Sequence, residues 1–219
     1  PKSTSSALYR VLSNCSGEEL RALDGDTRRN LVWGLEKLCF HADVFEESAW
    51  SLLLLAAEEN ENWSNNATGI FAQLFRVNLS GTHATPNARF DLLRRAIEVG
   101  QVPIDMVVLE ALIQAIGTHG NTRTIGAEYQ GTKAPLKEWQ PDLWQDVFNF
   151  WQRAIDLALL LFERGDPQKE KILSGIGHSI RGFVVHGRIE MLDAAIRSIV
   201  SKNGRYWPTA LDSIKSTLE

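Results

Sequence analysis

Apolar residues recur every three or four positions along almost the whole chain, a spacing typical of amphipathic helices. Leu31, Leu35 and Leu38 form one such series. No stretch alternates between apolar and polar residues as a half-buried strand does. The pattern predicts helices over about 26–40, 43–58, 66–77, 86–99, 103–116, 141–164, 167–186 and 188–202, and a short final helix with Leu211, Ile214 and Leu218.

Capping residues occur near the ends of these segments, where the first N–H groups of a helix need acceptors. Two pairs have the spacing of a capping box: Ser16 with Glu19, and Asp43 with Glu46. Two others place a cap residue before a proline at the first helical position: Thr85-Pro86 and Asp166-Pro167. Glycines that favour helix termination follow at Gly100, Gly117, Gly165, Gly187 and Gly204.

The segment 141–164 is the longest predicted helix, and it is apolar on two faces. A helix of this kind must be covered on both sides, so we expect it to lie centrally between neighbouring helices. One face carries Leu143, Val147, Phe150, Trp151, Ala154 and Leu161, and the other carries Trp144, Phe148, Ile155, Leu159 and Phe162.

Short links between successive helices favour antiparallel neighbours, so the sequence predicts an all-α fold. Two architectures fit: an irregular α-solenoid of HEAT-like stacked antiparallel helix pairs, which we favour, or a large helical bundle. No strict sequence period supports a regular repeat class. We expect residues 1–219 to form a single helical array, with a long irregular loop over 118–140 between its two halves.

Charge and composition narrow the classes of partner. With 23 basic and 27 acidic residues the formal net charge is −4, which disfavours nucleic acid and anionic membranes as partners. The longest apolar run, 51–57, is far shorter than the roughly 20 residues of a membrane span.

Cys15 and Cys39 are expected to be buried free thiols, which indicates a reducing, cytoplasmic location. Residues 1–6 lack an initiating Met and a signal core, so we expect a piece of a larger protein.

The sequence contains no catalytic or cofactor-binding motif with the required residue order, spacing and setting. In the segment 126–133 Thr132 precedes Lys133, the reverse of a P-loop, so we expect a glycine turn there. Gly175 and Gly177 lie within a helical pattern, which favours close helix packing over dinucleotide binding. The histidines and cysteines lack metal-ligand spacing, and no nucleophile motif occurs. We therefore expect no catalytic residues, no cofactor and no metal.

Aromatic residues give the clearest candidates for binding. Four of the seven Trp residues lie within predicted helices and are expected in the core: Trp33, Trp50, Trp144 and Trp151. The other three lie at helix ends or in loops: Trp63, Trp139 and Trp207. The loop 118–140 combines cationic and aromatic residues that suit a partner-binding surface: Arg123, Tyr129, Lys133, Lys137 and Trp139. Alternatively, Trp139 holds the loop against the next helix while the charges face water.

Two segments resemble the helical C-terminal regions of large bacterial NTPase proteins, including STAND-type antiphage defence sensors. The first covers 28–75, with the runs 29–38, 52–58 and 62–67 leading to Phe71, Leu74 and Phe75. The second runs from 79 to 89 and continues with 129–131 and 136–139. Together they cover about half of the chain and consist of packing and turn residues. In such proteins the NTPase and effector domains lie elsewhere, and the helical region recognises a ligand or holds the inactive state.

The resemblance implies a non-catalytic recognition or scaffolding module of a larger bacterial protein, with a role in antiphage defence. Its partner would be another protein or other domains of the parent chain. Two alternatives remain open: a stand-alone helical enzyme whose site is assembled from distant residues, and a purely structural spacer.

We expect the isolated chain not to bind or hydrolyse ATP, because the turn around Lys133 has the wrong residue order and no preceding strand. Isothermal titration with ATP and Mg²⁺ measures this directly, and Lys137→Ala serves as a charge-matched control. Micromolar binding that is lost in Lys133→Ala but kept in Lys137→Ala would show a phosphate site.

Overall fold

The computed structural model describes residues 1–118, 137–203 and 207–218. Within these ranges the chain forms eleven α-helices and one short 3-10 turn, and no strand occurs there. The predicted all-α class is therefore confirmed. None of the described helices is both long and apolar enough to cross a membrane.

The helices follow one another along the chain with mostly short connections. The 3-10 turn, Ala42–Val44, directly precedes the fourth helix. In chain order the helices are α1 Lys2–Ser13, α2 Gly17–Ala22, α3 Gly25–Cys39, α4 Phe45–Ala57, α5 Ala67–Gln73, α6 Pro86–Val99, α7 Val102–Ile116, α8 Trp144–Phe162, α9 Gln168–Val185, α10 Glu190–Asn203 and α11 Pro208–Leu218.

Most predicted helices occur within a few residues of their expected ends, and α6 matches its predicted range 86–99. Helices α1 and α2 were not among the predicted segments. Helix α5 is shorter than the predicted 66–77 because the chain leaves it in tight turns, in which Phe75 N donates to Ala72 O and Arg76 N to Gln73 O. Of the predicted loop over 118–140, residues 119–136 lie outside the described part of the chain.

Two of the four predicted helix caps are present. Ser16 and Glu19 form the capping box, with Glu19 N donating to Ser16 Oγ at 3.2 Å and Ser16 N donating to Glu19 Oε2 at 2.7 Å. The Ser16 N–H, and then its hydroxyl, lower the pKa of Glu19. Thr85 Oγ1 accepts from Ala88 N at 3.3 Å and so caps α6 ahead of Pro86.

The other two caps were predicted wrongly. Asp43 lies inside the 3-10 turn, so α4 begins at Phe45 without a side-chain cap, and Glu46 instead pairs with Arg95 at 2.9 Å. Helix α9 begins at Gln168 without a side-chain cap, since Pro167 is its flanking residue. Gly100 closes α6 in the left-handed region with φ 73°, as predicted.

Contacts between helices follow two series, here called rows. Helix α8 contacts α6 and α10 in the first row, and in the second α7 contacts α4 and α9, which contacts α11. The rows contact each other through the successive pairs α6–α7, α7–α8, α8–α9 and α9–α10. The side chains between them form one continuous apolar cluster, from Leu12 in α1 to Ala210 in α11.

Helix α8 is contacted by α6 and α7 and by α9 and α10, which agrees with the predicted position between neighbours. Its first turn is not covered, and Trp144 is 64% exposed. Among the four Trp residues predicted to be core, Trp50 and Trp151 are buried, whereas Trp144 and Trp33, which is 38% exposed, are not. Helical periodicity identified the faces correctly but could not show where a covering neighbour ends.

The cysteine prediction holds in part. Both thiols are free, and Cys39 is fully buried in α3, where burial raises the pKa of its thiol. Cys15 is only half-buried, because it follows the end of α1, and its Sγ donates to Val11 O at 3.4 Å.

Buried Arg28 in α3 binds the ends of two other helices. Its Nη2 donates to Leu55 O at 2.6 Å and to Glu58 O at 3.0 Å, at the C-terminus of α4. Its Nη1 donates to Leu20 O at 2.9 Å, in α2. The guanidinium thus adds donors at two helix ends, where Leu55 O also accepts from Glu58 N at 3.1 Å, and its charge suits the negative end of a helix dipole.

The same arrangement recurs twice along the chain. Arg89 in α6 is buried, and its Nη1 donates to Leu74 O and Arg76 O just beyond α5. Burial lowers the pKa of Arg89 to about 9, so the side chain stays cationic at neutral pH. Arg164, just beyond α8, donates to Ile97 O near the end of α6 and forms an ion pair with buried Asp105 of α7.

Three glycines bring α9 close to its neighbours. A Cβ at Gly175 would stand 2.5 Å from Ile113 Cγ1 of α7, and one at Gly182 would overlap Thr118. On another side of the helix, a Cβ at Gly177 would stand 2.9 Å from Thr209 Cβ of α11. The close packing predicted for Gly175 and Gly177 is confirmed.

Replacing Gly177 by Ala should lower the free energy of unfolding by about 1–3 kcal/mol, because the new methyl overlaps Thr209 and the adjacent backbone of α11. Gly34→Ala is the matched control, since Gly34 is also helical but has no neighbour within 4 Å, and should stabilise by about 0.5–1 kcal/mol. Urea unfolding followed by circular dichroism measures both. Equal effects of the two substitutions would contradict the close packing of α9 and α11.

Arg28→Met should lower the free energy of unfolding by about 3–5 kcal/mol, because it removes the side-chain donor of the Leu20 carbonyl and breaks the buried ion pair of Arg28 with Glu59. Arg28→Lys should recover little of the loss, since an ammonium cannot reach both helix ends as the guanidinium does. Arg21→Met, which removes an exposed pair with Glu58, should cost less than about 1 kcal/mol. Comparable losses for Arg28→Met and Arg21→Met would contradict this role of Arg28.

Candidate functional site

A cleft of about 460 Å³ opens where several chain segments end together. The loop after α5, the end of α7, the start of α8 and the residue after α9 all contribute to its walls. Its volume lies within the range of pockets that bind small molecules or single side chains. The described residues that line it are Val77, Asn78, Leu79, Gly117, Thr118, Pro141, Asp142, Leu143, Trp144, Val147, Trp151 and His186.

Two large apolar side chains are exposed on the rim of the cleft. Leu143 is 68% exposed and Trp144 is 64% exposed. The backbone is fixed at this point because Asp146 Oδ2 accepts the N–H groups of Leu143 at 3.0 Å and of Asp142 at 3.2 Å. This carboxylate holds the chain at the start of α8 and leaves the two apolar side chains in water, an arrangement typical of binding surfaces.

Aromatic rings continue from the rim into the protein. The Trp144 ring centroid lies 6.0 Å from that of Phe148 and 6.1 Å from that of His186. The His186 centroid lies 5.8 Å from that of Trp151, which in turn packs edge-on against Phe183 at 5.0 Å. The rings therefore connect the exposed rim to the apolar core between α8 and α9.

Two hydrogen-bond donors of the cleft residues have no acceptor. Trp151 is 3% exposed, and its Nε1 is buried without a hydrogen-bond partner. The hydroxyl of Thr118 is likewise buried without a partner, while the carbonyl of Thr118 lies 3.4 Å from His186 Nε2. Each unpaired buried donor costs about 1–3 kcal/mol, so an acceptor atom that reached either donor would be favourable.

The loop on the opposite wall has an unusual backbone. Leu79 lies in the left-handed region with φ 56°, which costs a non-glycine residue about 1–3 kcal/mol. The loop is held by residues before α8, since Gly81 N donates to Glu138 Oε2 and Trp139 N donates to Thr82 O, both at 2.8 Å. These contacts set the position of Leu79 in the cleft wall.

The ionisable side chains that line the described part of the cleft are Asp142 and His186. In the described ranges no group of three or more His, Cys, Asp and Glu residues is arranged to hold a metal ion. The described part of the cleft thus offers apolar rings and neutral donors beside the carboxylate of Asp142. This chemistry suits binding of an apolar group that carries an acceptor.

Among the five residues predicted for partner binding, Arg123, Tyr129 and Lys133 lie outside the described residues. Lys137 is exposed. Trp139 is half-buried and does not line the cleft.

The indole of Trp139 belongs to the packing of α6 and α8. Its ring lies nearly parallel to Phe150 at 6.2 Å, and Arg89 Cζ lies 4.9 Å from its centroid. Its position corresponds to the alternative in which Trp139 holds the loop against the next helix. The other two Trp residues outside the predicted helices are also engaged, since Trp63 lies under Arg29 at 4.8 Å and Trp207 Nε1 donates to Leu173 O at 2.9 Å.

Sequence reasoning missed Leu143 and Trp144 as surface residues and Thr118 as a cleft residue. Leu143 and Trp144 were assigned to the two core faces of one helix because both fit its period. A usable signal was their position among Asp142, Gln145 and Asp146, since polar neighbours in a first turn indicate solvent. Thr118 gave no signal, because its environment depends on how α9 packs.

Comparison with protein-family models, curated proteins and solved structures finds no significant match to this chain.

Proposed function

We propose that this chain is a non-catalytic recognition module that binds a polypeptide partner in the cleft at the start of α8. The single observation that carries the proposal is the exposure of Leu143 and Trp144 on the rim of a 460 Å³ cleft. Exposed aromatic anchors beside a preformed pocket are typical of the residues that dominate protein interfaces. The unpaired donors of Trp151 and Thr118 add a second requirement that a bound partner could satisfy.

We further propose that the array is an irregular α-solenoid. The support is the two-row order, in which the pairs α6–α7 and α8–α9 follow one another, with α10 continuing the first row and α11 the second. Such stacks present extended surfaces that serve as recognition or scaffolding sites. The resemblance of 28–75 and 79–89 to helical regions of bacterial NTPases supports a place in a larger, cytoplasmic defence protein, in which the partner is another protein or another domain.

Partner binding by the loop residues stays a separate prediction. Arg123, Tyr129 and Lys133 lie outside the described residues, and Lys137 is exposed but does not line the cleft. Trp139 instead contributes to the packing behind it.

The test is selection of peptides from a random display library on the immobilised chain, followed by affinity measurement on variants. Selected peptides should bind Leu143→Ser and Trp144→Ser at least about tenfold more weakly, or 1.4 kcal/mol, because each change removes an apolar contact at the rim. Both residues are exposed, so the melting temperature should change little.

Leu160→Ser is the matched control, since Leu160 lies on the same helix, is 56% exposed and does not line the cleft. The selected peptides should bind this variant as they bind the unmodified chain. Recognition at the cleft is refuted if no peptide is enriched, or if Leu143→Ser, Trp144→Ser and Leu160→Ser bind alike.

A further inference from the structure

The two unpaired donors define what kind of group the cleft requires. Trp151 Nε1 can only donate a hydrogen bond, so nothing but an acceptor atom satisfies it. Thr118 Oγ1 also lacks a partner, and its residue lines the same cleft. His186 connects the two residues, because its ring lies 5.8 Å from that of Trp151 and its Nε2 lies 3.4 Å from Thr118 O.

The charge of the lining distinguishes between acceptors. Asp142 contributes a carboxylate, and no Lys or Arg is among the described residues that line the cleft. A carboxylate or phosphate bound among these described residues would therefore lose its hydration without gaining a cation from them, and Asp142 would repel it. An uncharged carbonyl oxygen has neither cost.

We propose that the cleft contains a subsite for an uncharged amide carbonyl of a peptide, which Trp151 Nε1 and Thr118 Oγ1 bind while a neighbouring aromatic side chain of that peptide packs on Trp144. The inference rests on the proposed recognition of a polypeptide and specifies the chemistry of what is recognised. The rings of Trp144 and His186 supply the apolar surface, and the two donors fix the orientation.

Entry of the carbonyl needs a local movement, because both donor atoms are covered from solvent. The side chains of Trp144 and His186 line the cleft and are themselves exposed, so they can change rotamer rapidly. Binding therefore replaces two unpaired donors with two hydrogen bonds.

The experiment follows the indole N–H resonances of the full chain, labelled with ¹⁵N, during titration with 3-phenylpropanamide, which has one amide carbonyl and one aromatic ring. Trp151→Phe identifies the Trp151 resonance by its loss. This resonance should move downfield and saturate as Nε1 gains an acceptor. The Trp207 resonance should stay in place, since Trp207 Nε1 already donates to Leu173 O at 2.9 Å outside the cleft.

Two matched ligands and one variant test the chemistry. 3-Phenylpropanoate, which carries a carboxylate in place of the amide, should bind about threefold or more weakly, and propanamide, which lacks the ring, should bind more weakly still. Thr118→Val, which removes the hydroxyl at nearly constant shape, should weaken the amide about twofold to tenfold. The subsite is refuted if the Trp151 resonance does not move at saturation, or if the carboxylate binds as tightly as the amide.

The outcomes also separate this inference from the proposed function. Selected peptides that require Trp144 but leave the Trp151 resonance unchanged would refute the amide subsite and keep recognition at the rim. A Trp151 resonance that moves with the amide, together with no effect of Trp144→Ser on selected peptides, would keep the subsite and refute recognition of a polypeptide through the rim.

Discussion

The packing of this chain depends on how the carbonyl groups at buried helix ends are satisfied. Several helix ends lie inside the molecule, where water does not reach the last carbonyls. Arg28, Arg89 and Arg164 each donate to a carbonyl at or just beyond the end of another helix. Removing Arg28 or Arg89 would take the side-chain donor from the buried carbonyl of Leu20 or Leu74, so each of these two guanidinium groups constrains how the helices it joins pack together.

This dependence explains which parts of the fold could be predicted from the sequence. The helical period gave most helix positions, because the faces that meet the core repeat along each segment, and Ser16 and Thr85 gave two caps through local chemistry. The roles of Arg28 and Arg89 could not be predicted, since both look like solvent-facing charges until the partner helix ends are known. The cap predicted at Asp43 failed because a 3-10 turn occupies that place.

The candidate site was harder to predict than the fold for the same reason. Its residues come from four separate segments, and none of those segments carries a motif. Trp144 fits the period of α8 as well as Trp151 does, yet the first is exposed and the second is buried. The difference is the position of the covering neighbours. Where one helix ends before its neighbour does, part of the neighbour's surface is left uncovered and can bind a partner. The local sequence does not show how the ends of packed helices lie relative to one another.

The three glycines of α9 bear on the evolution of such a chain. Gly175 and Gly182 are seven residues apart and meet Ile113 and Thr118, whereas Gly177 meets Thr209 on another side. No side chain can be added at one of these positions unless its partner becomes smaller or the helices separate. Relatives of this chain should therefore change residues 113 and 175, 118 and 182, and 177 and 209 as compensating pairs. Because Thr118 also lines the cleft, a compensating change at 118 and 182 would alter both the packing of α9 and the ligand preference of the cleft.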